Sequence, residues 1–305
     1  MTHKIYDCIL IYNMPKNIHG TTKIIGLIGD PLEHSVSFEM HNAVFDKLKL
    51  DYCFIPLQVN AQDLGKALNG LRAFGFVGAN ITIPHKESII AFLDETTKIP
   101  RLIGSVNTVL NQGGKLVGYN TDGPGFIDSL KKDCNFDPKG KKAVILGAGG
   151  GSKAVSIMIA KEGIKTLIIA DKVYEKSKNL CEYINSHFEI APYACPTDSN
   201  ELKVSIESCD LLINATPVGM HPKKDECPID KSIKIPSNAL VYDLIYNPEE
   251  TELLKMAKKA GARTRNGMDM LVRQGALAFS LFTEQEPPVD IMKATVVEAV
   301  KSFKK

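Results

Sequence analysis

Two residues of this chain, Lys86 in "NITIPHK" and Asp122 in "GYNTDGPGF", have the chemistry to handle a proton on an alcohol. An ammonium beside a carboxylate can pass a proton to or from a hydroxyl, or hold the charge that develops on its oxygen. Oxidising a secondary alcohol also needs a hydride acceptor, and the stretch Lys141 to Gly163, "KKAVILGAGGGSKAVSIMIAKEG", has the form of a site for one. A short β-branched run leads into Gly147, Ala148, Gly149 and Gly150, after which the periodicity is helical. A strand that turns tightly into a helix aims unpaired N–H groups, at the positive end of the helix dipole, where a pyrophosphate sits. The next strand, "TLIIAD", ends in Asp171, about 20 residues on, where the dinucleotide fingerprint has its acid.

More polar groups gather around the same chemistry. Alternation sends Asn80 and Thr82 to one face of a strand, and Pro84 ends it so that Lys86 follows on a turn. Polar groups at a strand's C-terminal end point into the crevice where α/β proteins hold ligands. Asn107 of "GSVNT" and the "HSVS" loop, His34 to Ser37, extend a set suited to a small polyhydroxylated acid. Each residue alone has a plainer role: Lys86 as a solvated lysine, Asp122 and Asp171 as turn or cap residues, Ser35 and Ser37 as caps of the following helix. His34 and His41 read as hydrogen-bonding and packing residues rather than metal ligands, since no acid or cysteine stands at ligand spacing.

The elements that must position these groups form two α/β blocks. In the first, "KIIGLIG", "YCFIPLQV" and "FVGANITI" read as buried strands of a parallel-rich sheet, with helices near Ser37–Leu50 and Ala61–Phe74. A hairpin follows, turning at Gly113 and Gly114. The second block repeats βα units through "KAVILG", "TLIIAD", "DLLINAT" and "ALVYDLIY", the pattern of a doubly wound sheet. An amphipathic helix with Leu253, Leu254 and Ala257 inward precedes two C-terminal helices, broken by adjacent prolines at "EQEPPV". The expectation is a two-domain α/β protein. It has an extension at 1–22, a substrate-binding domain at 23–121 completed by helices in 268–305, and a Rossmann-like dinucleotide-binding domain at 122–267.

Composition sets outer bounds. A chain of 305 residues with 44% hydrophobic and 24% charged residues is globular, and 37 basic against 35 acidic residues leave a net charge of +2 with no polyanion-binding excess. Nucleic acid is therefore not an expected partner. Seven scattered cysteines, without a C-x-x-C pair, argue against a zinc site or a disulfide framework and suggest a reducing cytoplasm. The apolar run Cys8–Tyr12 is too short for a signal-peptide core or a membrane span.

Two positions refine the cofactor. Ser152 stands where the strict fingerprint has glycine or alanine, a small side chain that still allows close helix-on-strand packing. Asp171 accepts from ribose hydroxyls and repels a 2′-phosphate, and Lys172 and Val173 follow without a neutralising arginine, so NAD is expected over NADP. Lys172 keeps NADP open as a point charge within reach.

Eight ordered motifs then align the chain with a family. "GDPLEHSVSFEMHN", "NITIPHK", "GSVNT", "GYNTDGPGF", "GAGGGSKA", "NATPVGM", "DLIYNPEETELLKMA" and "GMDMLVRQGALAF" together resemble the shikimate dehydrogenase family, including its quinate/shikimate branch, from Ile24 to about Val300. The resemblance implies reversible, nicotinamide-dependent interconversion of 3-dehydroshikimate and shikimate, on the route to chorismate and aromatic amino acids. It implies Lys86 and Asp122 as the catalytic pair, with Lys86 the acid/base; which of the two holds the proton stays open in a coupled pair. It implies Ser35 and Ser37 on the substrate carboxylate, closed by Tyr246, with Asn80, Thr82, Asn107 and Gln274 on ring hydroxyls. Gly147, Ala148, Gly149, Gly150, Asp171 and Lys172 would face the dinucleotide, Ala215, Thr216 and Pro217 would line its cleft, and Gly267 and Met270 would lie by the nicotinamide.

The chain departs from the family pattern at two places. Phe38 replaces the usual proline after the second serine, and Asp171, Lys172 and Val173 replace the Asn-Arg-Thr clamp for NADP. The second departure points toward NAD-using members, several of which accept quinate, so quinate catabolism is the alternative function. A folate one-carbon dehydrogenase would leave Ser35, Ser37 and Asn107 without a role, and a catalytically dead sensor would have lost Lys86 or Asp122. The oligomeric state is left as monomer or homodimer.

Overall fold

The computed structural model describes residues 18–33 and 35–302. Most of the expected 1–22 extension, and His34, lie outside the described residues.

The first sheet grows from β1 (Lys23–Gly29), α1 (Ser37–Lys47), β2 (Tyr52–Gln58), α2 (Leu64–Ala73), β3 (Gly78–Ile81), β4 (Glu95–Thr96), α3 (Lys98–Ile103), β5 (Thr108–Gln112) and β6 (Lys115–Tyr119). Its strand order is β2-β1-β3-β5-β6-β4. The expected parallel-rich sheet is found, with β1 parallel to β2 and to β3 and β4 parallel to β6, while β5 runs antiparallel to both β3 and β6. The reason is the hairpin itself: Gly113 and Gly114 both take positive φ, which joins adjacent strands head to tail. Helix α1 stops at Lys47, short of the expected Leu50, and Lys49 takes φ 55° just beyond.

A short helix, α4 (Asp122–Asp128), running on into a π turn at Ser129–Asp133, leads to the second sheet. There β7 (Lys142–Leu146), α5 (Gly150–Lys161), β8 (Thr166–Asp171), α6 (Tyr174–His187), β9 (Tyr193–Pro196), α7 (Asn200–Ile206), β10 (Leu211–Asn214), β11 (Leu240–Asp243), α8 (Glu252–Lys259) and β12 (Arg263–Arg265) follow in turn. Every pairing is parallel, in the order β12-β11-β10-β7-β8-β9. Its central strands are apolar except at their ends, because both faces are covered. Chain order reverses between β7 and β10, and such switch points open the crevice in which these sheets bind ligands.

The last helices, α9 (Met268–Thr283) and α10 (Val289–Ser302), return to the first sheet. Met268, Val272, Phe279, Phe282, Met292 and Val296 pack with Ile25, Met40, Phe45 and Phe54 in one core, and the Phe45 and Phe279 rings lie 5.8 Å apart. Each such side chain contributes roughly 1.5–3 kcal/mol by leaving water. The other face of that sheet is covered from within the first block, by Leu64, Leu68 and Leu71 of α2 against Ile28, Ala79 and Ile81. Among the described residues, no helix is long and apolar enough to cross a membrane.

Candidate active site

Lys86 is carried past the end of β3 by a short turn, in which Thr82 N–H donates to the Ile28 carbonyl (2.9 Å) and His85 N–H to the Thr82 carbonyl (3.0 Å). Its own carbonyl accepts from Val106 N–H at 2.7 Å, fixing the main chain from which the side chain springs. Asp122 is the first residue of α4, where the helix dipole favours a carboxylate. Lys86 Nζ donates to Asp122 Oδ2 at 2.7 Å, with the lysine side chain 35% and the aspartate 17% exposed. The pair is thus partly withdrawn from water while its lysine stays reachable.

Asn107 organises everything around that pair. Its Nδ2 donates to Asp122 Oδ1 (2.9 Å), Thr121 Oγ1 (2.8 Å) and Gln274 Oε1 (3.4 Å). Its Oδ1 accepts from Thr121 N–H (2.7 Å) and Thr108 Oγ1 (3.1 Å). Asn80 Nδ2 donates to the Asn107 carbonyl (3.1 Å) and to Thr108 Oγ1 (2.9 Å), which turns its own oxygen away from this cluster. Asn80 and Asn107 are both buried.

One cavity of about 340 Å³ gathers Ser35, Ser37, Asn80, Thr82, Lys86, Asn107, Asp122, Tyr246, Gly267, Met270 and Gln274. All eleven were singled out from sequence. Pro31, Leu244 and Leu271 line it as well, apolar wall residues that no polar pattern announces. Ser35 and Ser37 do not cap α1: its N-cap is Val36 without a side-chain bond, and Ser35 Oγ accepts from Ser37 N–H at 3.3 Å. Burial raises the Tyr246 phenol above its ordinary range, so it stays protonated as a donor. Gly267 is a close-approach glycine, since a Cβ there would stand 2.0 Å from the Leu244 carbonyl oxygen. Phe38 packs its ring 5.9 Å from that of Phe54.

The other predicted group assembles apart from this cavity, at the ends of β7, β8 and β10. Gly147 takes φ +99° with a Cβ position 3.0 Å from the Ala215 carbonyl oxygen and from Thr216 Cγ2, so only glycine lets the two loops meet. Gly149 and Gly150 have nothing within 4 Å of their Cβ positions, an open cradle ahead of a 12-residue helix. Ser152 is fully buried and donates back to the Gly147 carbonyl, tightening the turn. Asp171 Oδ2 accepts from Ala148 N–H (2.7 Å) and Oδ1 from Val173 N–H (2.8 Å). The carboxylate therefore braces the glycine turn, and the N-cap of α6 is Val173 instead. Lys172, next in the chain after Asp171, and Pro217 are both exposed. An open glycine cradle, a helix N-terminus and an adjacent carboxylate fit a dinucleotide.

Between the two groups lies a network that sequence reading passed over. Asp243, fully buried at the end of β11, accepts from Asn214 Nδ2 (3.0 Å), Ile245 N–H (3.1 Å) and Thr251 Oγ1 (2.6 Å). Burial pushes its carboxyl up to about 6, and the three bonds pull the other way. The available signal was an acid ending an apolar strand, in a motif already recognised for its tyrosine. Elsewhere, His41 is buried, its pKa lowered to about 3, with its ring stacked 4.6 Å from Phe54, so it stays neutral. Among the described residues, no group of three or more His, Cys, Asp or Glu converges as a metal site would require.

A Rossmann-type sheet with a dinucleotide turn, beside a cavity holding a lysine–aspartate pair, defines an NAD(P)-dependent oxidoreductase acting on a CH–OH group. Family models agree along the chain: the shikimate dehydrogenase substrate binding domain matches residues 27–109, shikimate / quinate 5-dehydrogenase residues 129–222, and the shikimate 5'-dehydrogenase C-terminal domain residues 267–297. The shikimate dehydrogenase (NADP(+)) of Methanopyrus kandleri is 42% identical over 285 residues, covering 93% of this chain and 98% of that one. The shikimate 5-dehydrogenase of Listeria monocytogenes, solved with shikimate and NAD, superposes with a TM-score of 0.88 at 36% identity, covering 93% of this chain and 99% of that one. A shikimate dehydrogenase solved with NADP+ gives a TM-score of 0.88 at 40% identity, covering 94% and 99%. The chain belongs to the shikimate dehydrogenase family.

Proposed function

We propose that this protein reduces 3-dehydroshikimate to shikimate reversibly, with Lys86 and Asp122 as its catalytic pair. The observation that carries the reading is the 2.7 Å bond between Lys86 Nζ and Asp122 Oδ2, inside a cavity lined by every other polar residue expected to hold the substrate. A nicotinamide cofactor held by its pyrophosphate at the glycine turn would supply the hydride in reduction and take it in oxidation. Lys86 Nζ then gives its proton to the oxygen that receives negative charge, and takes it back from the hydroxyl in the reverse direction. Asp122 holds the ammonium in place and accepts from a neighbouring substrate hydroxyl, while Asn107 keeps the carboxylate turned toward the cavity.

Ser35, Ser37 and Tyr246 offer hydroxyls to the substrate carboxylate, and Asn80, Thr82, Asn107 and Gln274 suit the ring hydroxyls. Gly147, Ala148, Gly149 and Gly150 would receive the pyrophosphate, Ala215, Thr216 and Pro217 the adjoining cleft, and Gly267 and Met270 the nicotinamide face. For the cofactor we propose NAD, on the strength of the Asp171 carboxylate where a 2′-phosphate would need a cation. The NADP(+) names of the curated relatives favour the opposite ranking, with Lys172 as the residue to meet the phosphate. One experiment tests both levels: kcat/KM for shikimate and for quinate, each with NAD and with NADP. Absence of shikimate turnover with either cofactor refutes the function, faster quinate turnover refutes the substrate ranking, and a higher value with NADP refutes the role given to Asp171.

A further inference from the structure

We propose that Asp243 is a positioning residue for both walls of the cleft, joining the loop Asn214–Thr216 on the cofactor side to the loop bearing Tyr246 on the substrate side. This rests on the functional reading above, in which those loops face the two ligands. The same oxygen, Oδ1, takes Asn214 Nδ2 at 3.0 Å and Ile245 N–H at 3.1 Å, so one atom ties the ends of β10 and β11 together. From Asn214 the chain of bonds continues outward: its Oδ1 accepts from Thr216 N–H (3.0 Å) and Thr216 Oγ1 (2.7 Å). Thr216 in turn abuts Gly147, where the dinucleotide turn begins. On the other side, Ile245 precedes Tyr246, and Gly267 N–H donates to the Ile245 carbonyl at 3.0 Å, bringing in the start of α9 with Met270 and Gln274. The second oxygen is anchored by Thr251 Oγ1 at 2.6 Å, and Thr251 also caps α8 by accepting from Leu254 N–H.

A carboxylate here is an expensive choice of anchor. Asp243 has no exposed surface, and among the described residues no lysine, arginine or histidine pairs with it. Burying an ion without a counter-ion is unfavourable, and its raised pKa reflects that. What a carboxylate provides in return is acceptor capacity on both oxygens for three donors arriving from three segments, in bonds stronger than neutral ones. An apolar residue of similar volume would fill the space and leave Asn214, Ile245 and Thr251 each with an unmet donor. The two loops would then lose their common reference point, although neither touches the other's ligand.

The test compares wild type with Asp243→Ala, Asp243→Asn and Thr251→Val, reading KM for shikimate and for cofactor, kcat, melting temperature, and direct binding of NADH by fluorescence titration. Asp243→Ala is expected to raise both KM values about tenfold or more, with a smaller loss in kcat. Asp243→Asn keeps an acceptor oxygen for Asn214 and Ile245 and is expected to hold both KM values within about threefold of wild type. Thr251→Val is expected to raise both by an intermediate factor. Overturning results are a lowered melting temperature with KM values unchanged at an assay temperature where Asp243→Ala is folded, a rise confined to one ligand, or equal damage from Asp243→Asn. Should Asp243→Ala fail to fold, unchanged KM values in Thr251→Val overturn the proposal equally. Wild-type protein without dehydrogenase turnover would strike the functional reading; Asp243 is then judged on NADH binding, where an unchanged Kd in the variants overturns it.

Discussion

The substrate side of the cleft and the cofactor side are built by opposite means. On the substrate side the proposed working groups are side chains from four distant segments, Lys86, Asn107, Asp122 and Gln274, and Asn107 touches two of the others directly. On the cofactor side the proposed working groups are main-chain N–H groups of one contiguous turn, and Ser152 and Asp171 spend their side chains bracing it. A site of interlocked side chains is sensitive to deleting any member. A site of backbone tolerates side-chain change wherever glycine geometry and its braces survive.

Four measurements press on that contrast, beginning with the largest effect. Lys86→Ala is expected to lower kcat by about a hundredfold to ten-thousandfold while NADH binding persists. Comparable turnover in the variant would remove Lys86 from the chemistry. Asn107→Ala strands Asp122 Oδ1, Thr121 N–H and Gln274 Oε1, worth about 1–3 kcal/mol, and should cut kcat/KM about tenfold to a hundredfold. If that loss appeared equally in cofactor binding, the two sides would not be separable in the way described.

Asp171→Ser is expected to move the ratio of kcat/KM for NAD over NADP by about tenfold toward NADP, without changing kcat under saturation. A ratio that stays put would reduce Asp171 to a brace of the turn. The smallest effect on turnover is expected from Asp243→Asn, whose interest lies in stability. Asp243 has its folded pKa raised to about 6 from 3.8, so between those values the folded state holds a proton the unfolded chain has shed. Stability from this group is therefore full below the lower value and falls as pH rises toward the upper one. Burial raises the Cys227 thiol, with a smaller contribution from the Asp243 charge, so that thiol titrates outside this window. Relative to wild type, Asp243→Asn should gain in melting temperature from pH 4 to pH 7 and level off above; a flat difference across that range would contradict the raised value.

The same contrast explains what could be read from sequence. The cofactor turn is local, so "LGAGGG" between a strand and a helix gives its geometry outright. The substrate cavity is non-local, and nothing in the spacing of Asn107 and Gln274 brings their amides to 3.4 Å; there the family resemblance supplied what periodicity lacks. Strands short or polar enough to have no period escaped altogether, as at β4, β9 and the "RTR" of β12. The hairpin glycines do announce β5 against β6, whereas its antiparallel pairing with β3 on the other side has no signal in a buried apolar run. Asp243 was missed because its partners, Asn214, Ile245 and Thr251, meet only after β10 and β11 have paired.

The return of α9 and α10 to the first sheet has a consequence for the order in which the molecule is made. The face of that sheet bearing Ile25 and Phe54 is closed by Met268, Phe279 and Val296, residues translated after both sheets. The second sheet carries its own cores on both faces, so we expect the block translated later to fold first, while the block translated earlier waits for α9 and α10. Stalled nascent chains ending before Met268 should then show protease protection of the second sheet ahead of the first. Protection in the order of synthesis would refute this sequence of events.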